Sequence, residues 1–347
     1  MINILVTGAG GGGGNNMISC IKKLIKNDLK VIGTNCSKNY IFMSTADETY
    51  LAPEASEKNY LSKINDLRKK HNIHQIIPCN DREVLALSKS DSLKEYLFLP
   101  NQDLISSVQN KSEFFKLANN ASVRVPINYP LTSFEDLEEK FNLLKNYSEK
   151  VWVRPQKGSG SKGATWVNTF DQAMIWIKLW VEMRKFKISD FQICEFLPGR
   201  DLNIQTIWDN GNFVCGTMVE RLGYYGGEAK LSGMASTPSI SRRIHCDTLA
   251  AQIELLGRNL PYKLNGSINI DIKADSNNVD CMTEINIGRF PMIIRLHEAC
   301  INKKPSNLKC YIDKITLKKD LEKIGWHFEG LDTTMYRELD NLPKLIN

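Results

Sequence analysis

Asn269-Ile270-Asp271-Ile272 and Thr283-Glu284-Ile285-Asn286 are two short apolar segments in which polar residues recur at every second position. That period marks a strand, whose successive side chains point to opposite faces. Asp271 and Glu284 lie 13 residues apart, and the stretch between them is rich in Asp, Ser and Asn at 275–278. A hairpin of that length sets the two carboxylates side by side. Glu284 and Asn286 are two residues apart and share one face of the sheet. Two carboxylates and an amide oxygen are hard ligands, suited to a Mg²⁺ that also touches phosphate oxygens. The same spacing also fits polar residues turned to solvent on an exposed face.

Upstream, Val151-Trp152-Val153-Arg154-Pro155 reads as a strand that delivers one cation, Arg154, to the loop Gln156-Lys157-Gly158-Ser159-Gly160-Ser161-Lys162-Gly163-Ala164. Successive backbone N–H groups in such a loop form an anion-binding nest, and glycine lets the loop close over phosphates and reopen. The spacing is not that of a Walker P-loop. A solvated hairpin turn is the plain alternative.

The first hundred residues alternate strand and helix. Strands are expected at 2–6, 29–33, 75–78 and 96–99, and helices at 16–26, 58–70 and 81–88. Such alternation implies a parallel, Rossmann-like sheet. The loop Thr7-Gly8-Ala9-Gly10-Gly11-Gly12-Gly13-Gly14 formally satisfies the dinucleotide fingerprint, but five consecutive glycines do so by chance. The second strand ends Val31-Ile32-Gly33-Thr34-Asn35, without the acid that would bind a ribose. An anionic substrate group at Gly10, Gly11 and Gly12, a structural turn, and a nicotinamide nucleotide all remain readings of this loop. Residues 101–150 read as mostly helical. An amphipathic helix near 171–186 has a stripe of Met174, Ile177, Trp180 and Val181 that reads as core. Further strands are expected at 192–196, 202–208, 213–219, 267–272 and 279–285, while the last 30 residues carry no readable pattern.

With 347 residues, 42% hydrophobic and 24% charged, the chain is long enough for two or three compact units. No apolar run approaches the about 18–20 residues of a membrane helix. The start, Met1-Ile2-Asn3-Ile4-Leu5-Val6, reads as a strand rather than a signal peptide. Nine cysteines without a C-x-x-C pair fit reduced thiols in a cytoplasm, with Cys194, Cys215 and Cys281 as small buried hydrophobes. The net charge of +6 favours anionic ligands, but its spread and the lack of a basic stripe argue against nucleic acid.

In their order these motifs resemble the ATP-grasp superfamily and, within it, the large subunit of carbamoyl-phosphate synthetase. The resemblance runs over nearly the whole chain. It includes Ala46-Asp47-Glu48-Thr49-Tyr50-Leu51-Ala52-Pro53, Ile76-Ile77-Pro78-Cys79-Asn80-Asp81-Arg82-Glu83 and Asn110-Lys111-Ser112-Glu113-Phe114-Phe115. It continues in Val153-Arg154-Pro155 and in Gln192-Ile193-Cys194-Glu195-Phe196-Leu197-Pro198-Gly199-Arg200-Asp201. It implies a Rossmann-like domain at 1–105 and a two-part grasp, α/β passing to α+β, at 106–195 and 196–347. ATP and Mg²⁺, or Mn²⁺, are the implied cofactors. Lys111 and Arg154 would meet the phosphates with Gly158, Ser159, Gly160, Ser161, Lys162 and Gly163. The backbone of Glu195, Phe196 and Leu197 would hold the base and Asp201 the ribose, while Asp271, Glu284 and Asn286 match the metal ligands. Here the family's Glu-x-Asn-Pro-Arg reads Glu284-Ile285-Asn286-Ile287-Gly288-Arg289, with the arginine displaced by one position.

The implied activity is ATP-dependent activation of a small carboxylate as an acyl phosphate and its transfer to an amine or another nucleophile, releasing ADP and phosphate. Catalysis would rest on Lys111, Arg154 and Arg289, and substrate contacts on Arg221, Glu228 and Lys230. The alternatives are a kinase that stops at the acyl phosphate and an NAD(P)-dependent oxidoreductase. Carbamoyl phosphate synthesis itself is not expected from a single grasp unit. A cytoplasmic homodimer with small-molecule partners completes the expectation.

Overall fold

The computed structural model describes residues 1–337, apart from 159, 234, 236 and 300. Ser159, one of the expected phosphate-loop residues, lies outside the described residues.

Three sheets carry the chain. The first is parallel, with strands in the order Glu48–Leu51, Leu29–Asn35, Ile2–Thr7 and Gln75–Ile77. The helix after the first strand, Gly12–Leu24, begins inside the glycine run rather than beyond it. The expected strand at 96–99 does not form. A helical turn, Asp91–Tyr96, leads instead into an extended segment with no ladder. Phe98 is buried there, against Tyr311 with ring centroids 5.4 Å apart, and a Cβ on Gly266 would lie 2.1 Å from its carbonyl oxygen. The segment is apolar because it seals the first sheet against the C-terminal part, which is why it imitates a strand.

The second sheet is antiparallel: Phe191–Glu195 and Val151–Pro155 lie between Asn128–Pro130 and Thr165–Val167. Its core is its own, made with the helices Phe134–Lys145 and Phe170–Arg184. Val151 and Val153 point into that core, so Trp152 and Arg154 must point the other way.

The third sheet has seven strands. Asp280–Ile287, Gly266–Ala274, Asp201–Asp209, Asn212–Tyr224, Pro238–Ile244 and Thr334–Tyr336 follow in order, with Gly325–Trp326 beside Asn212–Tyr224. Pro238–Ile244 and the last two strands gave no signal in the sequence. Asp201–Asp209 is buried along its whole length, with Leu202 and Ile204 in one apolar cluster and Asp201, Asn203 and Gln205 on the opposite face. The first sheet, through Ile4 and Val6, and its helix Gly12–Leu24, through Ile18, pack on this part of the chain in one cluster with Ile207, Phe290 and Leu308. Cys194, Cys215 and Cys281 are buried and unpaired, as expected.

Glu298 closes the short helix Ile294–Glu298 onto the start of Asn307–Thr316 by accepting from Leu308 N at 3.2 Å. Burial pushes its carboxyl up to about 7. The folded form therefore keeps a proton that the unfolded chain loses near pH 4.5, so stability falls as pH rises from about 4.5 to about 7. Glu298→Gln should show a flatter dependence of melting temperature on pH across this window than the wild type; parallel profiles would refute the assignment.

Candidate active site

Where the three sheets meet lies a cavity of about 410 Å³. Its wall takes Trp152 and Arg154 from the second sheet, Glu195, Phe196 and Leu197 from the crossing segment, and Asp201, Asn203, Arg221, Asp271, Glu284 and Asn286 from the third. Gly160 and Ser161 of the glycine loop and Asp81 and Arg289 complete it.

The ladder between Gly266–Ala274 and Asp280–Ile287 pairs Asp271 directly with Glu284 and Asn269 with Asn286. Glu284 is the centre of a cationic arrangement. Lys111 Nζ lies 3.5 Å from one carboxylate oxygen and Arg154 lies 3.8 Å from the other. Lys111 is the first residue of the helix Lys111–Asn120, whose cap, Asn110, accepts from Ser112 N and Glu113 N. The ammonium also donates to Gly158 O at 2.8 Å, which ties it to the glycine loop. Burial pulls Lys111 below the usual lysine range, and Glu284 works against that shift. Arg154 is fixed by donating to Thr283 O at 3.2 Å.

Asp271 is held from the other side. Arg221 bridges Asp201 at 2.6 Å and Asp271 at 2.9 Å. Burial opposes its charge, but the two carboxylates outweigh burial and keep the guanidinium protonated. Tyr224 donates to Asp201, and Lys273 lies 3.9 Å from it. Asn203 donates to Asp271 Oδ1 at 2.7 Å. The oxygen of that amide lies 2.8 Å from His297 Nε2 and so must accept from it. His297 Nδ1 then accepts from Thr217 Oγ1 at 2.7 Å, and Thr217 accepts from Asn307 at 3.0 Å. Burial, with Arg243 and Arg221 nearby, drives His297 far below its usual range, so it is neutral and serves to orient Asn203.

Arg289 reaches the cavity despite its displaced position. Gly288 has φ +77°, and a Cβ there would lie 2.7 Å from Val84 and 2.9 Å from Leu99. Only glycine allows the chain to leave the strand at this angle and this close to the first sheet's helix. Arg289 then forms a two-pronged pair with Asp81, at 2.5 and 3.2 Å, and donates to Asn286 at 2.7 Å.

Not every expected residue comes to the cavity. Gly10, Gly11 and Gly12 do not line it. The Gly10 N–H is taken by Asn15 at 3.0 Å and the Gly11 N–H by Gly8 O at 3.2 Å. A Cβ on Gly10 would lie 1.8 Å from Tyr40 O, so close backbone packing explains this glycine. Asn35, where a ribose-binding acid was sought, donates to Ala9 O at 2.7 Å. Glu228 and Lys230 are exposed on the loop beyond Tyr224 and also lie outside the wall, as do Lys162 and Gly163. Lys162 instead lines a neighbouring cavity of about 950 Å³, together with Lys111 and Gly158. Gly163 accepts from Trp176 Nε1 at 3.0 Å. Asp81, Asn203, Asn269 and Lys273 were missed as site residues. The signal for three of them was present, since they alternate with Asp201 or Asp271 along their strands.

Residues 4–96 match the protein family described as PylC-like, N-terminal domain. No curated protein matches the sequence. Over 96% of its length the chain is similar to the biotin carboxylase domain of 2-oxoglutarate carboxylase from Hydrogenobacter thermophilus, solved as a dimer with MgADP, ADP and bicarbonate. The identity is 13%, the coverage of that chain 73% and the TM-score 0.68. N5-carboxyaminoimidazole synthetase from Staphylococcus aureus, complexed with ADP, matches 93% of the chain and 79% of its own, at 17% identity and TM-score 0.68. L-amino acid ligase from Bacillus licheniformis matches 91% and 74%, at 11% identity and TM-score 0.66. The fold is therefore the ATP-grasp fold that these structures share, and residues 4–96 are similar to the PylC-like N-terminal domain. The narrower likeness to carbamoyl-phosphate synthetase rests on the sequence motifs alone.

Arg221 is the cation shared by two carboxylates, so its loss leaves Asp271 with the neutral Asn203 amide and Asp201 with Tyr224 and the more distant Lys273. Arg221→Met should lower the unfolding free energy by about 3 kcal/mol, read from chemical denaturation. A loss below about 1 kcal/mol, the worth of an exposed pair, would contradict this geometry.

Proposed function

We propose that the chain is an ADP-forming ligase that activates a small carboxylate with ATP and couples it to an amine. The observation that carries this reading is Glu284 set between Lys111 and Arg154, opposite Asp271, in one cavity with the 195–197 segment. In this reading residues 1–105 form the Rossmann-like domain, and 106–195 and 196–347 the two halves of the grasp.

ATP enters as a substrate. Its base lies against Trp152, Phe196 and Leu197, whose apolar surfaces line the cavity, and its ribose faces Asp201. The donor set also fits a divalent metal. The Asp271 and Glu284 side chains are 21% and 26% exposed toward the cavity, and Asn269 Oδ1 on the adjoining pair is buried without a partner. Asp271, Glu284 and Asn286 would hold Mg²⁺ or Mn²⁺, which supplies neutralisation of phosphate charge when bound. Lys111 and Arg154 balance the charge that develops as a carboxylate oxygen attacks the γ-phosphorus and ADP departs. The mixed anhydride is then attacked by an amine, and phosphate leaves. Arg289, rigid between Asp81 and Asn286, offers N–H donors to the oxyanion of that step; losing one such stabiliser costs about 3–4 kcal/mol. Gly158 and Gly160 have φ of +113° and +77°, with open space at both Cβ positions, and in this reading the chain around them closes over the phosphates and excludes water.

A cytoplasmic homodimer using small-molecule substrates belongs to the same reading. Among the described residues no helix is long and apolar enough to cross a membrane.

Glu284→Gln should reduce ADP release at least a hundredfold; the protein should still fold, with an unchanged far-ultraviolet circular dichroism spectrum, but melt at a lower temperature because Lys111 and Arg154 lose the acid between them. Retained turnover would remove Glu284 from the site. The nucleotide product should be ADP with free phosphate; AMP with pyrophosphate would rule out the acyl-phosphate route.

A further inference from the structure

The neighbouring cavity of about 950 Å³ has a buried acid that the chemistry above does not use. It shares Asp81, Glu284 and Asn286 with the first cavity and carries Lys111 at the same end. On the side of the first sheet its wall includes Glu83, only 9% exposed. Glu83 sits on the first turn of the helix Asp81–Ser88, whose cap, Asn80, accepts from Glu83 N at 3.0 Å. Its Oε2 accepts from Thr7 Oγ1 at 2.5 Å, at the end of the first strand, and from the Asn80 amide. Among the described residues no donor reaches Oε1. Oε2 is thus fixed, while Oε1 keeps accessible surface in a residue that lines the cavity and is open to a donor that enters it.

We propose that Glu83 binds the ammonium group of an amino-acid substrate through Oε1, while the carboxylate of that substrate lies at the Lys111 and Glu284 end. The proposal rests on the ligase reading and narrows its substrate to a molecule with both groups. Charge supports it: the wall's cations, Arg82, Lys111, Lys157 and Lys162, suit the carboxylate, and of its acids, Glu54, Asp81, Glu83 and Glu284, Glu83 is the buried one. Burial pushes the Glu83 carboxyl up to about 7, with the Thr7 hydroxyl opposing. It therefore carries less negative charge near neutrality than an exposed glutamate, and an ammonium arriving at Oε1 favours the ionised form. Thr7 and Asn80 hold the side chain in one rotamer, so little ordering is needed on binding.

The test is ADP release at saturating Mg-ATP over a panel of amino acids. Each is paired with two acids of the same skeleton, in which a hydrogen or a hydroxyl replaces the ammonium. The wild type should show a KM at least tenfold lower for an amino acid than for either counterpart. Glu83→Gln should raise that KM at least tenfold and abolish the preference, with kcat changed less than KM and the KM for ATP unchanged. Glu83→Asp, which keeps the charge but draws it back, should fall between the two and is read in the same way if the glutamine variant folds poorly. Equal KM values for amino acid and counterparts in the wild type would overturn the proposal. So would a Glu83→Gln protein that weakens all three alike, since that marks a structural role. Activity with the deaminated acids alone would overturn the ammonium assignment and leave the ligase reading standing. Silence across the whole panel would overturn both.

Discussion

A single carboxylate with a cation on each side organises the centre of this molecule. Glu284 stands on one strand, Lys111 on a helix terminus and Arg154 on a strand of another sheet, and all three are largely buried. Two cations this close and this shielded would repel each other strongly without the acid between them. The need to keep Glu284 within reach of both couples the second sheet, the helix Lys111–Asn120 and the third sheet. It also gathers positive charge at the one place where the proposed chemistry requires it. Lys111 in addition donates to Gly158 O, so this cluster reaches the glycine-rich loop.

Around this centre the other charged groups are also balanced in pairs and linked by directional hydrogen bonds. Arg221 joins Asp201 to Asp271, and Arg289 joins Asp81 to Asn286. The chain from Asn307 through Thr217, His297 and Asn203 runs one way and ends on Asp271. A neutral histidine in such a chain contributes geometry rather than a proton. Asp271 and Glu284, opposite each other, are thus oriented by independent partners, which is what a site for a charged ligand requires of its walls.

Much of the candidate site was legible beforehand. The spacing of Asp271, Glu284 and Asn286 announced a hairpin with polar groups on shared faces, and the ladder sets Asp271 opposite Glu284 and Asn269 opposite Asn286, with a bulge after Asp271. Val151 to Arg154 alternated in the same way. Less was legible where a residue's purpose is a contact with something remote in sequence. Phe98 looked like a strand because it is buried, but its partner is Tyr311. The glycine run looked like a ligand loop because close backbone packing and anion binding call for the same residue; the carbonyl of Tyr40 answers for Gly10.

The amino-acid sequence alone determined which side chains share a face, because strand and helix periods are local properties of the backbone. It also determined the order of the elements and the ATP-grasp pattern that this order spells. Only the tertiary structure decided which faces look at one another. It brought Arg289 back to the cavity through a left-handed Gly288, seated Arg221 between two acids from different strands, and left one oxygen of Glu83 facing the second cavity. Such pairings depend on how sheets stack and where burial removes water. Charge and hydrogen bonding act through space, and no spacing along a chain encodes a distance between its distant parts.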